Sequence, residues 1–197
     1  QRTDVAGEGL ALPPDARLIA QAAAIMPLGA DVPAIAAMLG FTADHAFDAL
    51  HALAQAGVLA ARPDGTWAFA EAALRDLLEA EVGSDDRAAL HAAAAHELAA
   101  RVAGQAPEAV PLATVSAIVH HALGAGDAGL TTAWAMVAGR RHAALFANAA
   151  AEGFFVAGLA AARARGEAAA VQLDYLEALA DLRRLMGRPA QALDAAQ

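Results

Sequence analysis

The sequence predicts a mainly α-helical fold: a winged-helix-like domain over 15–82 and a helical-repeat domain over 83–197, behind an N-terminal linker over 1–14. Three observations lead there. The chain is 58% hydrophobic with few aromatic residues, and much of that apolar content is alanine, the strongest helix former and small enough to let helices approach closely. Only one stretch, near 58–70, reads as β structure. Beyond it, segments of helical length alternate with glycine-containing breaks to the end of the chain.

Pro13, Pro14 and Asp15 open the first helix, over Asp15–Met26, because proline and aspartate suit the free amides of a helix start. After Pro27-Leu28-Gly29, Asp31 and Pro33 start a short second helix that Gly40 ends. Thr42 then precedes a third, in which Phe47, Leu50 and Leu53 fall at helical spacing and Gly57 closes the element. The turn between the second and third helices has room only for a sharp corner. Two short apolar stretches around Arg62-Pro63-Asp64-Gly65 predict a β-hairpin, with Asp-Gly as the turn signal. Three helices followed by a hairpin is the order of a winged helix-turn-helix, with the hairpin as the wing.

Ser84, Asp85 and Asp86 begin a long helix, and GQAPEAVP after it reads as a loop. Helices are then expected over 112–124, 130–145, 148–164, 167–186 and 189–197, separated at Gly124–Gly129, Asn148, Gly166 and Gly187–Pro189. Such lengths with short connections describe antiparallel helical hairpins stacked side by side. A helix that has just begun at the last residues leaves an apolar face without a partner, so the repeats are expected to continue in a longer parent protein.

Composition removes several classes of chemistry. There is no cysteine, hence no disulfide, thiolate metal site or cysteine nucleophile, which fits a cytoplasmic protein. All 13 basic residues are arginine, a usage that with the alanine load suggests a GC-rich bacterial genome. No uncharged apolar run is long enough for a membrane span, and the N-terminus lacks the pattern of a secretion signal.

The stretches FTADHAFDALHALAQAGVL, DGTWAF, DDRAALHAAAAHELAARV, IVHHALGAGD and WAMVAGRRHAALFANAAAEGFFVAGLAAA, in that order, resemble the region after the nucleotide-binding core of bacterial STAND/AAA-type signal-transduction ATPases. Large LuxR-type regulators and ATPase-linked nucleotide cyclases belong to that class. The resemblance covers about residues 15–197 and implies a winged helix acting as a lever beside the ATPase, followed by TPR-like repeats that sense partners. Family members often carry a basic residue or histidine soon after the hairpin phenylalanine; here Phe69 is followed by Ala70 and Glu71. No Gly-x-x-x-x-Gly-Lys-Ser/Thr phosphate loop is present, and a chain without lysine cannot complete one. ATP hydrolysis by this segment is not expected.

Residue type and spacing separate the candidate sites. DNA binding needs cationic charge at the protein face that meets phosphate. Residues 1–82 carry four arginines against eleven carboxylates, and 83–197 nine against eleven. The third helix offers Asp44, His45, Asp48, His51 and Gln55 where a recognition helix would need arginine or lysine. A winged-helix DNA-binding transcription factor with a helical effector domain is therefore the alternative reading, not the first. The histidine spacings, five between His91 and His96, six between His45 and His51 and one between His120 and His121, give no pair four apart on a helix face, so no metal site is expected. Adjacent His120 and His121 should point apart and pack within a helix. Asp85 and Asp86 suit a helix N-terminus without catalytic work. Trp67, Trp134, Phe146, Phe154 and Phe155 could line a groove, but at helical spacing they are expected in the core. The densest basic cluster, Arg140, Arg141, Arg163 and Arg165, is the candidate partner-binding site, for an acidic peptide.

The expected function is thus non-catalytic: a regulatory and protein-interaction segment with no cofactor and no catalytic residue. Its expected partners are a protein, the ATPase domain of the same parent chain or a small inducer, with neither nucleic acid nor membrane among them.

Overall fold

The computed structural model describes residues 12–187. Nine α-helices and one two-stranded sheet make up the regular structure of those residues, and none of these helices is long and apolar enough to cross a membrane. The chain divides into two compact units between Asp86 and Arg87, within the first turn of a helix that starts at Ser84. The helix expected over 189–197 and nearly all of the linker expected over 1–14 lie outside the described residues.

In the first unit, α1 (Pro14–Ala24), α2 (Val32–Leu39) and α3 (Ala43–Gln55) precede β1 (Leu59–Ala61), β2 (Trp67–Phe69) and α4 (Ala72–Glu81). The starts of α2 and α3 follow from side-chain caps: Asp31 accepts from the Ala34 amide at 2.8 Å and Thr42 from the His45 amide at 3.3 Å. Gly40 ends α2 at φ 66°, where a side chain would be strained. β1 and β2 pair antiparallel with Ala60 opposite Ala68, and the Asp64 carboxylate holds the turn by accepting from the Thr66 amide and hydroxyl at 3.0 and 2.7 Å. Trp67 also exchanges two backbone hydrogen bonds with Ala30, each 2.8 Å, bringing the α1–α2 connection alongside β2. Ile19, Ile35, Leu50, Leu53 and Leu78 are fully buried and form the floor between the helices.

Helix α4 is not among the elements expected from the sequence. Its first residue follows Glu71, whose side chain makes no cap hydrogen bond, so the usual start signal is missing. What holds it is tertiary: Leu78 is buried, while on the surface Arg17 of α1 donates through Nε and Nη2 to the Glu81 carboxylate at 3.1 and 2.9 Å.

In the second unit, α5 (Ser84–Arg101) leads to α6 (Leu112–Ala125), α7 (Ala128–Ala144), α8 (Asn148–Ala164) and α9 (Ala169–Leu185). From α6 on, neighbours run antiparallel. Ser116 near the start of α6 meets His142 near the end of α7 at 2.9 Å, and Glu152 near the start of α8 accepts from Arg183 near the end of α9 at 2.7 Å. Val115, Ile118, Val119, Phe155, Tyr175, Leu179 and Leu182 are among the side chains of one continuous core. Gly124 was expected to end α6, but the helix runs on to Ala125 and Gly126, at φ 68°, is the cap. Gly124 serves packing instead.

Close approach of the helices depends on such glycines. A Cβ at Gly139 would sit 2.3 Å from the ring of Phe155, and one at Gly158 would sit 2.3 Å from that of Tyr175. Tyr175 crosses its glycine to donate its hydroxyl to the Thr132 carbonyl at 2.8 Å, so α9 also holds α7. Burial pushes the Tyr175 phenol up to about 12.

Candidate functional site

Two places in the second unit collect polar side chains around a concave or buried centre. One is a groove of about 300 Å³ between α7, α8 and α9. Its floor is apolar, from Phe155, Leu182 and Ala143, and its rim carries Arg140 with Asp174, Glu177 and Asp181. All four rim residues are exposed. Spacings of three and four residues put the three carboxylates along one side of α9. The rim is therefore net acidic, and Asp181 already attracts a cation, accepting from Arg184 at 2.5 Å.

The four arginines expected to form one basic cluster do not come together. Arg141 is turned onto the loop before α6 and donates to the carbonyls of Val110 and Pro107. Arg165 pairs with Glu167 at 2.8 Å and lies beside Gly129, at the start of α7. Arg140 stands eleven residues further along α7, about 16 Å away at the helical rise. The antiparallel turn between α7 and α8 brings the end of α8, with Arg163 and Arg165, to the opposite end of α7 from Arg140. Of the four, only Arg140 belongs to the groove.

The aromatic residues follow expectation with one exception. Trp67 and Phe155 are buried, and Trp134 and Phe154 pack partly buried against the core. Phe146 instead lies in the α7–α8 turn, 88% exposed and at φ 59°, beside the exposed Leu145. A helical period counted through a turn assigns a face to a residue that is no longer on the helix.

The second place is a set of three histidines. His91 of α5 enters beside α6 and brings its Nδ1 to 2.9 Å from the Nδ1 of His121, while His120 stands edge-on to both. The ring centroids of His91 and His120 are 5.4 Å apart and those of His91 and His121 5.0 Å. Gly124, one turn beyond, makes the space: a Cβ there would fall 2.6 Å from the His91 ring. His121 is fully buried and His91 nearly so, while His120 is exposed. Burial pushes His91 down to about 4, helped by the charges of His120 and Arg87, and His121 down to about 3, helped by His91 and His120. Both imidazoles are neutral at neutral pH.

Adjacent His120 and His121 do point in different directions, their rings 79° apart, yet both meet His91. Neighbouring positions on a helix differ by about 100°, and a ring arriving from a second helix fits between them. Spacing within one helix cannot reveal a cluster whose third member is 30 residues away. Elsewhere, His45 lies 3.7 Å from Asp15, His51 meets Gln55, His96 lies 3.4 Å from Asp127, and Asp85 and Asp86 occupy the first turn of α5. No family model, curated protein or solved structure matches this chain.

Proposed function

We propose that this chain is a non-catalytic regulatory and protein-interaction segment of a bacterial signal-transduction ATPase of the STAND class, with a winged-helix-like lever and TPR-like repeats that receive a partner. The groove between α7, α8 and α9 carries the reading. An apolar floor under three exposed carboxylates suits a peptide segment that inserts an apolar side chain and sets arginine or lysine on the rim. The partner chemistry is thus cationic, opposite in sign to the acidic peptide that the arginine cluster suggested. Antiparallel packing of α6 on α7, α7 on α8 and α8 on α9, in sequence order, supports the repeat reading.

The lever reading draws support from the order of elements in the first unit and from the pairing of Ala30 with Trp67, which adds a strand-like segment to the hairpin. Asp44, His45, Asp48, His51 and Gln55 are all exposed on α3, a surface that repels phosphate rather than neutralising it. The first unit therefore fits contact with protein better than contact with DNA.

A charge-reversal titration tests this. The 197-residue chain is titrated with an amphipathic leucine/arginine peptide and with its leucine/glutamate counterpart, alongside Glu177→Arg/Asp181→Arg. The reading expects saturable binding of the cationic peptide only, weakened about tenfold or more by the double reversal. Equal binding of both peptides, or no effect of the reversal, would remove the groove as a recognition site. Salt-sensitive binding to duplex DNA would favour the transcription-factor alternative.

A further inference from the structure

The three histidines form a cluster that the interaction reading does not use. A structural reason for two of them is incomplete. His91 and His121 share one Nδ1···Nδ1 hydrogen bond, in which one nitrogen donates and the other accepts. The second nitrogen of His121, Nε2, is buried without a hydrogen-bond partner. An orphaned buried polar atom costs about 1–3 kcal/mol, and leucine at 121 would carry no such penalty. Gly124 is also held open for the ring of His91, at the expense of helix propensity inside α6. Two departures from good core design meet at one point.

We propose that His91, His120 and His121 bind a transition-metal ion, zinc in the first instance, through one ring nitrogen each. One nitrogen from every ring can be chosen so that all lie within 4.8 Å of one another. In a tetrahedral zinc site with Zn–N of 2.0–2.1 Å, ligand nitrogens stand about 3.3 Å apart. The Nδ1 pair at 2.9 Å must open by a few tenths of an ångström and His120 must swing inward; the proton of His121 then sits on Nε2, so the metal bond, not a hydrogen bond to Nε2, offsets the cost of burying this ring. The exposed position of His120 makes that swing a side-chain rotation and gives the ion its route from solvent; a fourth, solvent-derived ligand would complete a tetrahedral site. Neutral imidazoles without thiolates suit zinc, copper or nickel and not magnesium or calcium. Arg87, whose charge reaches His91 from one turn earlier on α5, opposes a bare dication and favours an anionic fourth ligand such as hydroxide.

The test is a titration of the chelator-stripped full chain with Zn²⁺ by calorimetry and with Co²⁺ by visible absorption, whose intensity reports four-coordinate geometry. The expected result is one ion per chain with Kd of about 1 μM or tighter. Loss of an outer-sphere partner alone weakens metal sites 10–100-fold, so His120→Ala should weaken Zn²⁺ binding at least about tenfold and abolish the intense Co²⁺ band. His120 is exposed, so its removal leaves the core intact; an unchanged far-UV circular dichroism spectrum verifies this. His96→Ala, a change at an exposed histidine outside the cluster, should leave both signals unchanged. Absence of one-to-one binding, native-like binding by His120→Ala, or loss of binding in His96→Ala would each overturn the proposal. None of these outcomes bears on the peptide groove, which is read out separately.

Discussion

Gly158 lies so close to the ring of Tyr175 that a Cβ would come within 2.3 Å of it, and the same ring reaches past the glycine to the Thr132 carbonyl. A glycine in mid-helix ordinarily weakens the helix by about 1 kcal/mol relative to alanine. Here the missing methyl is what allows α8 and α9 to meet.

Gly158→Ala is therefore expected to destabilise the second unit by about 1–3 kcal/mol, because overpacking outweighs the propensity gain. Urea denaturation followed by circular dichroism measures it. Adding Tyr175→Leu should recover part of the loss, giving a non-additive pair; a stabilised Gly158→Ala protein would contradict this packing.

Tyr175 also predicts how stability responds to alkali. Its folded pKa, about 12, is raised above the unfolded value near 10, so the native state resists losing the proton. The stability tied to the neutral phenol is complete below pH 10 and is lost as pH rises toward 12, by about 1.4 kcal/mol per pH unit. With one tyrosine and neither lysine nor cysteine in the chain, no other side chain titrates in that window. Denaturant midpoints should fall between pH 10 and 12, and Tyr175→Phe should flatten the fall while lowering stability at neutral pH.

Phe146 has an unfavourable backbone, with φ 59°, and almost no contact to offset it at 88% exposure. Phe146→Gly should raise stability by up to about 1 kcal/mol in thermal unfolding. A loss of that size would mean that the ring has a packing role.

In the first unit, Asp31 caps α2 and Arg17 pairs with Glu81 across the surface. Replacing a capping aspartate costs about 1 kcal/mol, whereas exposed ion pairs contribute little. Asp31→Ala should thus lower the melting temperature more than Arg17→Ala; the reverse order would assign the ion pair an unexpected share.

Elements with local chemistry were legible in the sequence. Asp31, Thr42 and Gly40 mark helix ends through hydrogen bonds and dihedral angles within a few residues, and the hairpin around Asp64 and Gly65 follows the same logic. Helix α4 was not, because buried Leu78 docks it against residues distant in sequence while Glu71 offers no cap. The histidine cluster escaped for the same physical reason, since His91 and His121 belong to different helices. The groove was half legible: Arg140 stands out in the sequence for its arginine neighbours, yet it lines the groove with Asp174, Glu177 and Asp181 of another helix.

The ring of Tyr175, buried against Gly158 and tethered through its hydroxyl, is expected to rotate about its own axis only when α8 and α9 draw apart. Its two edges should therefore give separate resonances, exchanging only as fast as the helices part. Being the chain's one tyrosine, it is a built-in clock for the opening of the helical stack, and a partner seated in the neighbouring groove would slow its tick.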